Sequence, residues 1–256
     1  RSSDLGRRAL PVVGALVLAL AIPPGSIKET DDRVLYEGET VQQYVRIVER
    51  EDGSRAMELN EGQAVHSLWR PGSYLTGDYW DGMVVAPAIG GRVEPRRIAI
   101  LGNAGGALAR AFGHYFPRTA VDAVEIDGEL TALGRRYLGL RNPRMEVFEA
   151  DARPWLEAAP GGYDAILVDA YRQPYIPFYL TTAEFFALAA ERLAPGGVVV
   201  VNVGHPEESE ALERVLGATM ASAFPHVLRD PIAATNTLLI GCGPAISAAR
   251  LEAVAP

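Results

Sequence analysis

The chain has little of the residues that cross-link small proteins or hold metal ions. Its 256 residues include one cysteine, Cys242, and four histidines. A single cysteine excludes an intrachain disulfide and a cysteine-based zinc cluster, and it fits a reducing compartment. The histidines His66, His114, His205 and His226 show neither HxxxH nor HxH spacing. We therefore expect no metal site.

Positive charge is also scarce. Acidic residues outnumber basic ones by 32 to 24, which gives a formal net charge of −8. No stretch rich in lysine or arginine could follow a phosphate backbone, so we expect no nucleic-acid partner. Apolar residues, in contrast, make up 48% of the chain. That share excludes a disordered protein and provides for a sizeable core.

The first 30 residues differ from the rest. Nineteen uncharged residues separate Arg8 from Lys28, and an apolar run over 9–22 stops at Pro23. A membrane-spanning helix needs about 20 apolar residues, so the run suits a membrane segment. The two arginines before it also suit a signal peptide, and its short apolar core suits a buried helix. We assign 1–30 as a hydrophobic membrane-like segment and linker, attached to a cytoplasmic domain.

Residues 31–76 predict a small antiparallel β domain. Four short strands are indicated, VLYEG, QYVRIVER, RAMEL and QAVHSL. The sequence Glu51-Asp52-Gly53-Ser54 separates the second strand from the third, and Asn60-Glu61-Gly62 separates the third from the fourth. Both are typical of the turns in β hairpins.

The remaining residues, 77–256, predict an α/β domain. After a helix that begins at Tyr79, apolar strands alternate with helical stretches, which indicates a parallel sheet with helices on both faces. The last two strands are joined by 230–236 without room for a helix, so they should form an antiparallel pair at one edge. The predicted strands are RIAIL, AVDAVEI, MEVFEA, YDAILVDA, GVVVVNV, PHVLR and TLLIGCG.

Glycines and an acid follow the first two strands of this sheet, at the edge where open α/β sheets bind ligands. The turn Gly102-Asn103-Ala104-Gly105-Gly106 leads into a helix, whose N-terminal N–H groups a ligand could approach, although such turns also need glycine for structural reasons. Glu125 follows about 20 residues later, which suits two ribose hydroxyls. Asp127 is expected to cap the next helix.

Two further acids follow the third and fourth strands. Asp151 could accept a hydrogen bond from the exocyclic amine of adenine, or cap the short helix after it. Asp169 would lie beside whatever reacts with the nucleoside, where burial would raise its pKa and suit it to proton transfer. Its alternative role is to cap a helix or to order a loop. The turn lacks the lysine of a phosphate-binding loop, so we expect no nucleoside triphosphate.

These features, in this order, resemble the spermidine synthase family of polyamine aminopropyltransferases. The resemblance covers about 34–243 and rests on Leu59-Asn60-Glu61-Gly62-Gln63, on Tyr79-Trp80-Asp81-Gly82-Met83, on the glycine turn and on the acids at the strand ends. The hydrophobic head is similar to membrane segments fused to some bacterial members.

The resemblance implies a Rossmann-like, methyltransferase-type, mostly parallel seven-stranded sheet with a small N-terminal antiparallel β domain. It implies transfer of an aminopropyl or related group to a small-molecule amine acceptor, in polyamine-type metabolism. The co-substrate would be decarboxylated S-adenosylmethionine or S-adenosylmethionine, with no metal. The chain would form a homodimer or a homotetramer.

The resemblance also implies a role for each matching residue. Asp169 would be catalytic, and the acceptor would be bound by Asp169, Tyr171 and Arg172. The adenosyl co-substrate would contact a larger set, namely Gln63, Tyr79, Gly102, Gly105, Glu125, Ile126, Asp151 and Ala152.

Three positions depart from the family pattern. Gly105 stands where family synthases carry an aspartate that meets the donor's ammonium group, and Arg172 where they carry an aspartate that holds the polyamine. Trp80 replaces a polar residue. A guanidinium repels a polyamine cation by roughly 1 to 4 kcal/mol at contact range. An S-adenosylmethionine-dependent methyltransferase and a non-catalytic nucleoside-sensing domain of a membrane protein are therefore the alternatives.

Overall fold

The computed structural model describes residues 30–60, 65–171 and 176–243. The apolar run over 9–22, Gln63 and Arg172 lie outside the described residues, so the predictions made for them stay predictions. Within the described ranges, no helix combines the length and the hydropathy that crossing a membrane requires.

The first four strands form an antiparallel sheet in the order β1-β2-β3-β4, as the hairpin signals predicted. Its turn between β2 and β3 contains Gly53 at a φ of +76°, a left-handed conformation that glycine adopts without steric cost. The strands are β1 (Arg33–Glu39), β2 (Tyr44–Glu49), β3 (Arg55–Leu59) and β4 (Val65–Trp69).

The second sheet has seven strands in the order β10-β11-β9-β8-β5-β6-β7. Its members are β5 (Arg97–Leu101), β6 (Ala120–Glu125), β7 (Met145–Glu149), β8 (Tyr163–Val168), β9 (Leu193–Gly204), β10 (His226–Ala233) and β11 (Asn236–Cys242). Strands β5 to β9 pair in parallel, whereas β11 pairs antiparallel with both β9 and β10. The seven-stranded fold class and the antiparallel edge pair are confirmed. Because β6 and β8 flank β5, strand order reverses there, which is where such sheets bind ligands.

The helices connect these strands, and several of them begin at capping side chains. The Asp127 and Asp151 carboxylates accept hydrogen bonds from the backbone N–H groups of Glu129 and Arg153, at 3.3 and 3.0 Å, and so cap two of the helices. The helices are α1 (Tyr79–Val85), α2 (Ala107–Tyr115), α3 (Gly128–Tyr137), α4 (Ala152–Ala158), α5 (Ala183–Arg192) and α6 (Ala211–Met220), and short 3-10 helices cover Ala86–Gly90 and Phe178–Leu180.

Three element boundaries differ most from the prediction. Strand β9 begins at Leu193 instead of Gly197, because Leu193 already pairs with Tyr163 of β8. Strand β10 continues to Ala233 instead of ending at Arg229, because its ladder with β11 continues. Helix α6 begins at Ala211, later than the predicted start at Glu207. In each strand the pairing partner sets the length, which local sequence does not reveal.

Two apolar layers cover the seven-stranded sheet, and a third joins it to the four-stranded sheet. Ile98 and Ile100 of β5 face one layer while Ala99 and Leu101 face the other, as the alternation of side chains along a strand requires. The third layer packs residues such as Met57 of β3 against α3. The four-stranded sheet is thereby positioned beside the carboxyl end of β6.

Candidate active site

A cleft with a volume of about 880 Å³, including the open space at its mouth, lies at the carboxyl ends of β5, β6, β7 and β8. One wall comes from the four-stranded sheet through Gln43, Leu59, Asn60 and His66. Of the residues predicted for the site, the cleft brings together Gly102, Glu125, Ile126, Asp151, Ala152, Asp169 and Tyr171. Tyr79 and Gly105 do not line it.

The glycine turn is shaped by close backbone contacts. Gly102 has a φ of +93°, and a Cβ atom there would lie 2.6 Å from the Ala170 Cα atom, so only glycine fits. Ala104 takes a φ of +42°, which is uncommon for a residue with a side chain. Its backbone N–H donates to Glu125 Oε2 at 2.7 Å, and this bond helps to hold the unusual conformation.

Gly105 faces the packed interior. A Cβ atom at this position would lie 2.6 Å from Leu138 Cδ1 and 2.9 Å from Ser67 Cβ. The Gly105 carbonyl oxygen would in turn lie 2.3 Å from a Cβ atom at Gly134 of α3. A side chain at Gly105 would therefore need the Leu138 and Ser67 side chains to shift, and it would start away from the cleft.

Glu125 is buried at the end of β6, and its oxygens face backbone donors. Oε2 accepts from the Ala104 N–H, and Oε1 accepts from the Asp127 N–H at 3.1 Å. Burial raises the pKa of Glu125, and these N–H groups oppose the rise because they stabilise the carboxylate. Ile126 beside it is 48% exposed and adds an apolar surface to the cleft.

Asp151 caps α4, which is one of its two predicted roles, and it also borders the cleft. Its Oδ1 atom accepts from the Arg153 N–H, while Oδ2 accepts from the Tyr179 hydroxyl at 2.8 Å. Arg153 Nη1 donates to the Tyr179 carbonyl oxygen at 3.0 Å, which ties the segment after β8 to α4. Tyr179 thus closes the cleft beside Asp151.

Asp169 follows β8 directly, and its own N–H donates to the Leu101 carbonyl oxygen at 2.8 Å. Its Oδ1 atom accepts from Asn202 Nδ2 and its Oδ2 atom from Trp80 Nε1, each at 2.9 Å. The Tyr79 hydroxyl lies 3.2 Å from both oxygens. Burial raises the pKa of Asp169 to about 7, against the effect of these three donors. Near neutral pH, Asp169 can therefore exchange a proton.

Tyr171 lines the cleft while its hydroxyl is fixed elsewhere. The hydroxyl donates to the Asn202 carbonyl oxygen at 2.9 Å and accepts from the Gly204 N–H. Burial raises the pKa of Tyr171, so the phenol stays neutral. Its part in the cleft is to offer an aromatic surface.

Sequence reasoning missed residues that only the fold brings to the site. His66 lines the cleft, and burial lowers its pKa to about 4, so the ring is neutral at physiological pH. Gln43 belongs to a turn that Thr40 Oγ1 ties to Asp127 Oδ2 at 2.6 Å. Asn202 donates to Asp169, and its position as a polar residue in the apolar run of β9 was the one signal by which the sequence could have indicated this role.

Comparison with known proteins gives the family. The spermine/spermidine synthase domain matches residues 81–242. The chain belongs to this family. A probable polyamine aminopropyl transferase of Bifidobacterium longum is 33% identical over 195 residues, which are 76% of this chain and 43% of that protein. Polyamine aminopropyltransferase 2 of Pseudomonas aeruginosa is 31% identical over 211 residues, 76% of this chain and 56% of that protein.

The solved structures agree on the fold of this family member. A probable spermidine synthase from Corynebacterium glutamicum superimposes with a TM-score of 0.71 at 23% identity, over 91% of this chain and 86% of that one. The chain spans about half the length of the two curated relatives named above. The predicted family resemblance is confirmed.

Proposed function

We propose that this chain transfers an aminopropyl or related group from an adenosyl sulfonium donor to a small amine, in polyamine-type metabolism. One observation carries the proposal: Glu125, Asp151 and Asp169 border a single cleft at the switch point of the sheet. Glu125 would bind the ribose, Asp151 the adenine amine, and Asp169 the attacking amine. Both relatives are named for polyamine aminopropyl transfer.

The cleft suits an adenosyl group with decarboxylated S-adenosylmethionine or S-adenosylmethionine as the source. Ile126, Ala150 and Ala152 supply apolar contacts, and Glu125 supplies a buried acceptor. In the reaction, the amine nitrogen forms a bond to the aminopropyl carbon while the carbon–sulfur bond breaks and methylthioadenosine leaves. Asp169, with its pKa raised to about 7, accepts the proton that the acceptor ammonium must lose before attack.

The setting of the domain is also part of the proposal. We retain 1–30 as a membrane-like segment, 31–76 as the β domain and 77–256 as the nucleoside-binding catalytic domain. Two further points are expectations from the sequence. A cytoplasmic domain is attached to the membrane through 1–30, and the chain assembles into a homodimer or homotetramer. Partition of a variant that lacks 1–30 between membrane and soluble fractions tests the attachment. Light scattering of the chain tests the assembly.

Methyl transfer from S-adenosylmethionine is the second candidate, and the packing around Gly105 favours it. The turn offers no carboxylate for a donor's ammonium group, and it has no room for one without rearrangement. An added carboxylate on whole S-adenosylmethionine would then meet no repulsion from the turn. The missing charge-assisted bond is worth roughly 1.5 to 3 kcal/mol, so preference for the decarboxylated donor should be small.

One experiment separates these candidates. The chain is incubated with each donor and a panel of amines, and mass spectrometry identifies the products. Methylthioadenosine with an aminopropylated amine supports aminopropyl transfer, whereas S-adenosylhomocysteine with a methylated amine supports methyl transfer. Methylthioadenosine at one hundred times its dissociation constant should also stabilise the fold by about 2.7 kcal/mol. If no nucleoside stabilises the chain, the assignment of the cleft is wrong.

A further inference from the structure

Asn202 is a polar side chain within the apolar strand β9. It stands between Val201 and Val203, and it is 2% exposed. A buried amide without hydrogen bonds costs free energy, so its partners explain why it is tolerated there. Its Nδ2 atom donates to Asp169 Oδ1, and its Oδ1 atom accepts from Asn236 Nδ2, each at 2.9 Å. Asn236 is therefore connected to Asp169 through one intervening amide.

The pairing of three strands brings these side chains into one row. Strand β9 is paired in parallel with β8, so Asn202 comes beside Asp169, the residue after β8. In the antiparallel ladder of β9 and β11, Asn202 is opposite Leu238. Asn236 precedes Leu238 by two residues, which places it on the same face of the sheet and diagonal to Asn202. The register of the sheet thus sets the row.

Of the three donors to Asp169, the Asn202 amide is the one that could present an acceptor instead. The Trp80 indole offers only an N–H, and the Tyr79 hydroxyl can rotate its hydrogen toward the carboxylate. A reversed amide would place an oxygen against Asp169, where two acceptors repel each other. The N–H of Asn236 opposes this reversal, because it binds the oxygen of Asn202 on the other side.

Asn236 is itself held in one orientation. The Thr235 hydroxyl donates to Asn236 Oδ1 at 3.1 Å, which leaves Nδ2 to face Asn202. The Thr235 carbonyl oxygen accepts from the His205 N–H at 2.9 Å, and Asn236 pairs with Gly204 in the ladder. The side-chain bonds therefore all donate in one direction, from the exposed turn before β11 toward the buried carboxylate.

The hydrogen bond from Asn202 stabilises the ionised form of Asp169. A donor that faces a carboxylate lowers its pKa, so this bond opposes the rise that burial causes. A reversed amide would remove the donor and bring an acceptor, and the pKa of Asp169 would rise further. Since a base must be deprotonated to act, the orientation of Asn202 affects the pH above which Asp169 can accept a proton.

We propose that Asn236 is a positioning residue for Asp169, and that it acts by holding the Asn202 amide with Nδ2 toward the carboxylate. The proposal rests on the proposed transfer reaction, in which Asp169 is the base, and adds a residue that does not line the cleft.

The test uses variants that change no charge, so the charged groups around Asp169 act alike in all of them. Of the described residues, the titratable groups that surround Asp169 and the row include Asp78 and Tyr79 at the start of α1, Tyr171 after β8, His205 after β9, and His66, Glu125 and Asp151 across the cleft. A shift between variants then reports the hydrogen bond.

Asn236→Leu removes the amide donor. Hydrogen bonds to charged groups correspond to about one to two pKa units, so we expect the pH midpoint of turnover in the full chain to rise by about 0.5 units or more. Asn236→Gln keeps an amide donor and should return the midpoint most of the way. Ala234→Leu, at an exposed position of the same turn, is the matched control and should leave the midpoint in place.

Three results overturn the proposal. A purely structural role for Asn236 would lower turnover at every pH in Asn236→Leu and leave the midpoint unmoved. A midpoint that rises equally in Asn236→Gln and Asn236→Leu would show that the donor is not the cause. If circular dichroism shows that Asn236→Leu does not fold, Thr235→Val replaces it. This variant removes only the outermost bond, so a smaller rise is expected, and an unmoved midpoint overturns the proposal as well.

Carbon-13 NMR of the aspartate-labelled chain distinguishes failure of the reaction from failure of this proposal. The Asp169 carboxyl signal is identified by its loss in Asp169→Asn, and its titration gives the pKa without turnover. If no amine is converted, the transfer reaction is wrong, and the titration alone decides the part of Asn236. A higher Asp169 pKa in Asn236→Leu than in the unmodified chain supports the proposal, whereas an equal or lower pKa overturns it.

Discussion

The two ends of the cleft are built in different ways. At the proposed nucleoside end, the Glu125 and Asp151 carboxylates accept from the backbone N–H groups of residues two positions further along the chain, Asp127 and Arg153. At the proposed acceptor end, Asp169 accepts from the side chains of Tyr79, Trp80 and Asn202, which are 90, 89 and 33 positions away.

This difference has a consequence for specificity. Backbone N–H groups are present whatever the side chains are, so the bonds to Glu125 and to Asp151 Oδ1 persist as long as the strand ends keep their conformation, and only the Tyr179 hydroxyl on Asp151 Oδ2 depends on a side chain. The acceptor end depends on three side chains, and a single substitution there changes which groups reach Asp169. We therefore expect the nucleoside to be shared across the family and the acceptor to vary within it.

The strongest test of this contrast is Asp169→Asn. Removing the proposed base should reduce turnover by about 10²-fold or more, because a positioned base typically contributes that much. Methylthioadenosine affinity, measured by calorimetry, should stay within about twofold because the nucleoside end is separate. Full activity of this variant on an identified acceptor would show that Asp169 is structural.

At the nucleoside end, Glu125→Gln should weaken binding of methylthioadenosine and of both donors by about tenfold or more. Hydrogen bonds to a charged group contribute about 1.5–3 kcal/mol, and the ribose is common to all three ligands. Calorimetry on each ligand measures the loss.

Glu146→Gln is the matched control, since this exposed glutamate lies in the same sheet near the start of β7. Its ligand affinities should match those of the unmodified chain. A loss for only one of the three ligands in Glu125→Gln would contradict the ribose assignment.

The glycine turn separates the two ends, and Gly105→Ala tests how tightly it is packed. The added methyl group would meet Leu138 and Ser67, so the free energy of unfolding should fall by about 1–3 kcal/mol in a denaturant titration. Gly217→Ala, in α6 with Leu239 Cδ2 3.9 Å away, should be neutral or stabilising. Equal stability of both variants would mean that the turn accommodates a side chain.

The smallest expected effect is a shift in pH dependence. In its proposed role as a base, Asp169 acts only when it is deprotonated, so turnover should rise with pH through a midpoint near its pKa of about 7. Trp80→Phe removes a donor that stabilises the carboxylate, so the midpoint should move to higher pH. Rate profiles between about pH 5.5 and 9 measure this midpoint in the unmodified chain and in the variant. A midpoint that moves to lower pH, or does not move, contradicts the role of the indole N–H.

Periodicity predicted the architecture because each signal is local. Apolar strands alternating with helices indicated the parallel sheet, and the turns around Gly53 and Asn60 indicated the hairpins. Boundaries were less predictable: β9 starts at Leu193 because β8 is there to pair with it. The acids at the strand ends followed from the rule that ligands bind at that edge.

By itself, the sequence determined the fold class and the order along the chain in which acids follow the strands. It also identified Asp169 as the acid that follows β8. Those properties depend on local patterns and on chain order. Only the tertiary structure decided that Trp80 and Asn202 donate to Asp169, that Gly105 faces Leu138, and that His66 borders the cleft. Such contacts join residues far apart in the chain, and their geometry is fixed when the sheets and helices pack together.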